Sequence, residues 1–136
     1  MKEEDIRLAF RHPNVMVGSD CFLKQGNGHP RAAGAFPRFI RQYTQACGLS
    51  LYEAIERITA LPAARLGLSS KGTLKKGADA DIVIFDRNIL TEKSTFDNPT
   101  AAPEGISLVM MNGQIAVQDG KIYNSTLGKA LRIQHL

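Results

Sequence analysis

The 136-residue sequence predicts an α/β fold in two parts that differ in their local hydrophobic pattern. In residues 1–68 the apolar side chains recur mainly at helical spacing around one short apolar run, which predicts helices around a single strand. Residues 69–136 contain short runs of β-branched residues separated by turn signals, which is typical of strands. Because one strand with its helices cannot close a layered core, we expect further sheet neighbours from elsewhere.

The first part contains four predicted helices. The first covers residues 3–11, where acidic side chains suit the positive end of the helix. A second helix is expected over about 37–47, with Gly48 as its stop. Ser50 to Glu53 has the spacing of a capping box and starts the third helix. A short fourth helix is expected over about 62–66.

Between the first two helices, Val15–Gly18 is an apolar run that leads to Asp20. Such a run, apolar on both faces, is typical of a buried strand in a parallel sheet. In α/β barrels the carboxyl ends of strands carry catalytic groups, so Asp20 is a candidate general base or metal ligand. From spacing alone, an aspartate that hydrogen-bonds the following turn is the favoured interpretation.

Residues 21–35 are predicted to form a long loop, and long loops in compact domains are often functional. The loop contains His29 and Arg31, and a guanidinium has the forked geometry that binds a carboxylate. From the residues alone, a solvated arginine and a structural histidine are the favoured interpretation.

The second part contains the strongest local signal of the sequence. Runs at 106–111 and 114–118 flank Asn112-Gly113, a pair that accepts the positive φ angles of a type I′ hairpin turn. A core strand is expected at 81–86, and Asp119-Gly120 predicts a second turn before a short edge strand.

Charge and cysteine usage exclude several classes of function. The net charge is +4 and the pI about 9.3, but lysine and arginine are spread along the chain, so no nucleic-acid partner is predicted. No apolar run approaches the roughly 18 residues of a membrane span. Cys21 and Cys47 form no CxxC, and we expect a reducing, cytoplasmic location. The two cysteines and three histidines show no zinc-ligand spacing.

Taken together, several motifs resemble the N-acyl-D-amino-acid deacylases of the amidohydrolase superfamily. Val17-Gly18-Ser19-Asp20, His29-Pro30-Arg31 and Gly34-Ala35-Phe36-Pro37-Arg38 resemble the last barrel strand of that family and the loop after it. Leu51–Leu68 is similar to the helical stretch that follows. Gly72–Asp86 looks like the passage from the barrel into a small β-sandwich.

The resemblance implies a fold and a mechanism. Residues 1–68 would hold the final strand, active-site loop and helices of a TIM-like barrel, and residues 69–136 the C-terminal strands of the β-sandwich. In the family, a zinc-bound water attacks the amide of an N-acyl-D-amino acid, a hydrolysis of linear amide C–N bonds. Asp20 would accept the proton of that water and pass it to the leaving amine, with His29 and Arg31 close to the substrate.

Two departures from the family shape our expectations. Cys21 stands where the family usually has glycine after the aspartate, and the family's metal-binding cysteine and histidines have no counterpart here. We therefore expect the isolated chain to be inactive and to bind no zinc tightly, with Asp20 as its one candidate ligand. It would pair with a missing N-terminal barrel or self-associate. The alternatives are a non-catalytic subunit that completes a barrel from another chain, and a small carboxylate-binding module.

Overall fold

The structure is a computed structural model that describes residues 2–131. All its α-helices lie before residue 66, and a four-stranded antiparallel sheet follows. We call residues 2–68 the helical half and residues 69–131 the β half. The elements are α1 Glu3–Arg11, β1 Leu23–Lys24, β2 Asn27–Gly28, α2 Arg31–Arg38, a π-helical turn Phe39–Tyr43, α3 Thr44–Ala46, α4 Leu51–Ile58, α5 Ala60–Arg65, β3 Ile82–Phe85, β4 Ile106–Met111, β5 Gln114–Gln118 and β6 Lys121–Ile122.

Two helices begin where the sequence predicts them. The first has the predicted bounds, Glu3–Arg11. At the start of α4, the Ser50 hydroxyl accepts the Glu53 amide at 3.2 Å, and the Glu53 carboxylate accepts the Ser50 amide at 2.7 Å. This reciprocal pair satisfies two amides that a helix end leaves without partners. The predicted capping box is confirmed.

The second helix begins at Arg31, earlier than the predicted start near residue 37. It contains Gly34 and Pro37, which as sequence signals favour a loop. Proline lacks the amide that would bond to the carbonyl one turn earlier, and the helix changes to a π-helical turn at Phe39. Gly34 is buried against the β half, so a tertiary contact holds the helix where local preference would end it.

The predicted strand at Val15–Gly18 is not formed within the described residues. The buried Arg57 of α4 binds this segment instead. Its guanidinium donates to the carbonyls of His12, at 2.7 Å, and Val15, at 3.1 Å. The Val17 amide donates to the Arg57 carbonyl at 3.4 Å. The backbone groups of a strand need hydrogen-bond partners on a neighbouring strand. Here the Arg57 side chain supplies some of those hydrogen bonds instead.

The sheet has the order β3-β4-β5-β6 and follows the predicted hairpins. Asn112 and Gly113 have φ angles of 51° and 76°, which confirms the type I′ signal. Asp119 and Gly120, with φ of 47° and 75°, turn the chain into β6. Only β4 pairs with β3 among the described strands, so the other edge of β3 is open.

The main hydrophobic cluster lies in the helical half and consists of Phe39, Tyr43, Cys47 and Ala54. In the β half, Leu90 is buried to 2% exposure, and the Arg41 guanidinium donates to its carbonyl at 3.2 Å. An apolar cavity of about 380 Å³ separates the helices from β3 and β4. The two halves therefore touch around this cavity without filling it.

Candidate functional site

The structure pairs the side chains of two of the three residues that the sequence analysis selected. The Arg31 guanidinium lies 3.0 Å from the Asp20 carboxylate, with Nη2 facing Oδ2. The Asp20 side chain is 91% exposed and that of Arg31 43%, so the pair is open to solvent. An open ion pair can exchange its partner for a ligand at little cost, since exposed pairs contribute roughly 0–1 kcal/mol.

Asp20 has a φ of 45°, in the left-handed region that L residues rarely adopt. Aspartate tolerates this conformation better than most residues because its short side chain can bond locally. Cys21, where the resemblance leads us to expect glycine, is not among the described residues with positive φ. The unusual backbone conformation therefore falls on the candidate catalytic residue itself.

His29 contacts the backbone of Arg31. The Arg31 amide donates to His29 Nδ1 at 3.1 Å, so the neutral ring carries its proton on Nε2. His29 is exposed on one side, and on the other its ring meets Phe96 edge to face, with ring centroids 5.0 Å apart. The histidine thus lies between the Arg31 backbone and a residue of the β half.

The predicted long loop contains a small hairpin that sequence reasoning missed. Strands β1 and β2 pair antiparallel, and Gln25 and Gly26 connect them with φ angles of 51° and 80°. The φ sequence has the same sign pattern as the Asn112-Gly113 turn, but glutamine is not a typical residue for it. Gly26 was the one available signal.

Residues 91–96 of the β half also reach the site, and sequence reasoning did not identify them. The Ser94 hydroxyl donates to the Pro30 carbonyl at 2.7 Å across 64 positions of sequence. A cavity of about 100 Å³ lies between this segment and α2. Its wall includes Glu92, whose carboxylate is 4.0 Å from Arg38 Nε. No local sequence pattern predicts a contact between residues so far apart in the sequence.

The residues present do not by themselves fit a zinc ion. Within residues 2–131, no three histidine, cysteine or acidic residues cluster as a metal site. Asp20 is engaged by Arg31, and the Nδ1 lone pair of His29 accepts an amide. His135 lies outside the described residues. Asp20 is thus the one candidate ligand that the resemblance provides.

A second charged cluster clamps the β half. Lys71 Nζ lies 2.9 Å from the Asp79 carboxylate and also binds Asp81, whose Oδ1 accepts the Asn112 amide at 2.8 Å. The hydrogen bonds from Lys71 lower the pKa of both carboxyls, and those carboxylates raise the pKa of Lys71. The cluster ties the turn at residues 70–81 to the hairpin tip, and its one lysine is shared between two carboxylates.

No helix among residues 2–131 has the length and apolar character to cross a membrane.

Comparisons with known proteins support the resemblance. The model of the amidohydrolase family matches residues 4–117. The chain is 40% identical over 114 residues to N-acyl-D-glutamate deacylase of Alcaligenes xylosoxydans xylosoxydans, covering 83% of the chain and 23% of that protein. It is 35% identical over 132 residues to D-aminoacylase of the same organism, covering 96% of the chain and 27% of that protein.

Solved structures agree with the sequence relatives. A D-aminoacylase crystal structure superimposes with a TM-score of 0.84 and 33% identity over 92% of this chain and 27% of that one. The structure of N-acyl-D-glutamate deacylase from Bordetella bronchiseptica, complexed with zinc and a phosphonate inhibitor, superimposes with a TM-score of 0.81 and 38% identity. The match covers 89% of this chain and 26% of that one. The chain spans about a quarter of the length of these relatives. Its helices and antiparallel strands resemble those of D-aminoacylase structures, and the chain belongs to the amidohydrolase family.

Proposed function

We propose that this chain supplies the proton-transfer and carboxylate-binding residues of an enzyme that hydrolyses N-acyl-D-amino acids. The observation that carries the proposal is the 3.0 Å contact between Asp20 and Arg31. It places a candidate general base beside a candidate carboxylate receptor, and a substrate of this class presents an amide next to a carboxylate. The relatives named N-acyl-D-glutamate deacylase and D-aminoacylase support the substrate class.

In this proposal each residue has one role. Asp20 accepts a proton from the water that attacks the amide carbonyl and passes it to the leaving amine, which requires an accessible carboxylate. Arg31 binds the substrate carboxylate with its forked guanidinium, and this contact replaces the one to Asp20. His29 accepts the Arg31 amide and so orients the turn. The residues of this chain do not by themselves form the zinc site that the resemblance implies. The remaining zinc ligands would come from the part of the relatives' length that this chain does not cover.

At the level of the fold, we propose that, once sheet neighbours are present, residues 1–68 provide the last strand, loop and helices of a barrel and residues 69–136 part of a β-sandwich. Two observations support an incomplete sheet in the second part: one edge of β3 is open among the described strands, and Val83 and Ile84, on opposite faces of β3, are 53% and 51% exposed. Unpaired apolar edges seek partners. We therefore propose that the chain docks on a barrel segment outside its own sequence and, when isolated, self-associates; a strictly monomeric isolated chain in sedimentation would contradict the self-association.

The direct test places the chain in a complete barrel. In a chimera, residues 2–131 would replace the matching quarter of the Alcaligenes D-aminoacylase, and release of D-amino acid from N-acyl-D-glutamate, N-acyl-D-aspartate and neutral N-acyl-D-amino acids would be measured. We expect hydrolysis by the chimera and a loss of about 10²- to 10⁴-fold in the Asp20→Asn variant. Asp97→Asn, a change at an exposed aspartate of the β half, is the matched control and should leave the rate unchanged.

The isolated chain gives a second test. We expect no hydrolysis and far less than one zinc per chain after dialysis, because a complete ligand set is not present among the described residues. Tight binding of about one zinc per chain would contradict the expectation that the other zinc ligands lie outside this chain.

A carboxylate-binding module is the second candidate function, and the solvent-open Arg31 favours it. Heat released on titrating the isolated chain with millimolar N-acyl-D-glutamate would support this candidate, and the absence of heat would count against it. The cytoplasmic location stays a prediction of the sequence.

A further inference from the structure

Residues 91–96, which we call the strap, connect the β half to the turn at His29–Arg31. At one end of the strap, the Arg41 guanidinium donates to the Thr91 hydroxyl and to the adjacent Leu90 carbonyl. In its middle, the Ser94 hydroxyl donates to the Pro30 carbonyl at 2.7 Å. At the other end, the Phe96 ring meets the His29 ring. The strap is therefore fastened to the π-helical turn after α2 and to the residues just before α2, and it reaches the candidate site with two side chains.

Both polar atoms of a single peptide unit are held in this arrangement. The peptide that joins Pro30 to Arg31 has its N–H bound by His29 Nδ1 at 3.1 Å, and its oxygen accepts both the Ser94 hydroxyl and the Gly34 amide, the latter at 3.0 Å. Phe96 in turn packs against the His29 ring. Because Arg31 is also the first residue of α2, whose helical backbone sets its φ angle, fixing this peptide plane fixes the direction in which the Arg31 side chain leaves the backbone.

The close approach of the strap depends on Gly34. A Cβ at this position would lie 2.5 Å from Ser94 Oγ and 3.4 Å from the Glu92 Cβ. Gly34 is buried within α2, where glycine costs about 1 kcal/mol relative to alanine. The Ser94 hydroxyl occupies the space that a side chain would fill, which explains a helix-weakening residue at this position.

We propose that Ser94 is a positioning residue for Arg31, so that a β-half hydroxyl sets the geometry of the carboxylate receptor; this rests on the proposed function. The Asp20–Arg31 pair is solvent-open, and exposed pairs are too weak to hold a long side chain by themselves. The peptide at Pro30–Arg31 is partly buried and hydrogen-bonded on both sides, and it supplies the order that the ion pair lacks.

The test compares Ser94→Thr with Ser94→Val, two variants of nearly the same shape of which only the first keeps the hydroxyl. The probe is hydrogen exchange of the Arg31 amide, measured by NMR on the whole chain. Ser94→Val removes the hydrogen bond to the Pro30 carbonyl, which belongs to the same peptide as the Arg31 amide. We expect the loosened peptide to speed exchange of the Arg31 amide about fivefold, and Ser94→Thr to keep the slow rate. Lys93→Ala, whose side chain pairs with Glu104, is the neighbouring control and should change nothing at Arg31.

The amides of β4 and β5 report whether the fold is intact. Equal acceleration in the threonine and valine variants, or acceleration that spreads to these hairpin amides, would show a packing role and overturn the proposal. Slow exchange of Arg31 in the valine variant would overturn it as well. The exchange result needs no substrate, so an inactive chimera would count against the proposed function and leave the positioning of Arg31 by Ser94 to be decided separately.

Discussion

The two halves of the molecule are stabilised in different ways. The helical half buries an aromatic cluster, in which the rings of Phe10 and Phe39 lie 4.9 Å apart, and one buried arginine holds the segment that leads to Asp20. In the β half tight turns join β4 to β5 and β5 to β6, and many apolar side chains of the strands stay half exposed. The helical half therefore depends on contacts between residues distant in sequence, whereas the β4–β6 part of the β half depends on local turn geometry.

Arg57 offers the strongest way to break the helical half. In Arg57→Met, the carbonyls of His12 and Val15 lose a charged donor inside the structure, while the aliphatic part of the side chain is kept. Hydrogen bonds to charged groups contribute about 1.5–3 kcal/mol each, so we expect the free energy of unfolding to fall by about 3 kcal/mol. Urea unfolding followed by circular dichroism measures it.

The matched control for Arg57 is Arg65→Met, a change at an exposed arginine of α5. It should shift the free energy of unfolding by less than about 0.5 kcal/mol. Equal effects of the two variants would mean that the hydrogen bonds of Arg57 to residues 12–17 are not what stabilises the helical half.

In the β half, the corresponding test is the hairpin tip. Asn112 has a φ of 51°, and a β-branched residue strongly disfavours that conformation. We expect Asn112→Val to destabilise the chain by about 2 kcal/mol. Gln114→Val, two positions on in the extended strand β5, should be neutral, because valine suits a strand. Hydrogen exchange of the β4 and β5 amides would show whether the loss stays in the β half.

The same contrast explains what the sequence predicts. The hairpin at Asn112-Gly113 and the Ser50–Glu53 cap are encoded within a few residues, and both are found as predicted. The early start of α2 depends on Gly34 against Ser94, and the unformed strand at Val15–Gly18 depends on Arg57. These contacts join distant residues, so no local pattern contains them.

For the candidate site, the sequence identifies residue types but not their arrangement. Asp20, His29 and Arg31 were selected by their place after an apolar run and by resemblance. The contact of Arg31 with Asp20 forms across the loop between them, and the part played by Ser94 appears only when residues 30 and 94 are brought together. Side-chain chemistry is local in sequence, whereas site geometry is set by tertiary contacts.

The cap of α4 tests local encoding inside the helical half. Ser50→Ala removes the hydroxyl that accepts the Glu53 amide, and we expect a loss of about 1 kcal/mol in the free energy of unfolding. Ser69→Ala, at an exposed serine near the junction of the two halves, should have no measurable effect. A cap effect as large as that of Arg57 would contradict the view that distant contacts dominate this half.

The smallest expected effect is the pH dependence of the β-half clamp. The pKa values of Asp79 and Asp81 are lowered in the folded chain, chiefly by hydrogen bonds from Lys71, so the clamp contributes stability above the unfolded value of about 3.9. That stability is lost as the pH falls through the lowered folded values. The pKa of Lys71 is raised, so its contribution is present below about 10.4 and is lost as the pH rises through the folded value.

Replacing Lys71 by methionine should therefore flatten the stability profile at both ends of the pH range. The acidic arm should flatten because both carboxylates lose the hydrogen bond from Lys71 that chiefly lowers their pKa, and the alkaline arm because the titrating amine is gone. Because the side chains are partly exposed, added salt should reduce the difference between the two proteins. Urea unfolding between pH 2 and 6 and again above pH 9 measures both arms, with Lys76→Met, a change at an exposed lysine of the same turn, as the control. If Lys76→Met flattened the profile as much as Lys71→Met, general charge and not the clamp would set the acid stability of the β half.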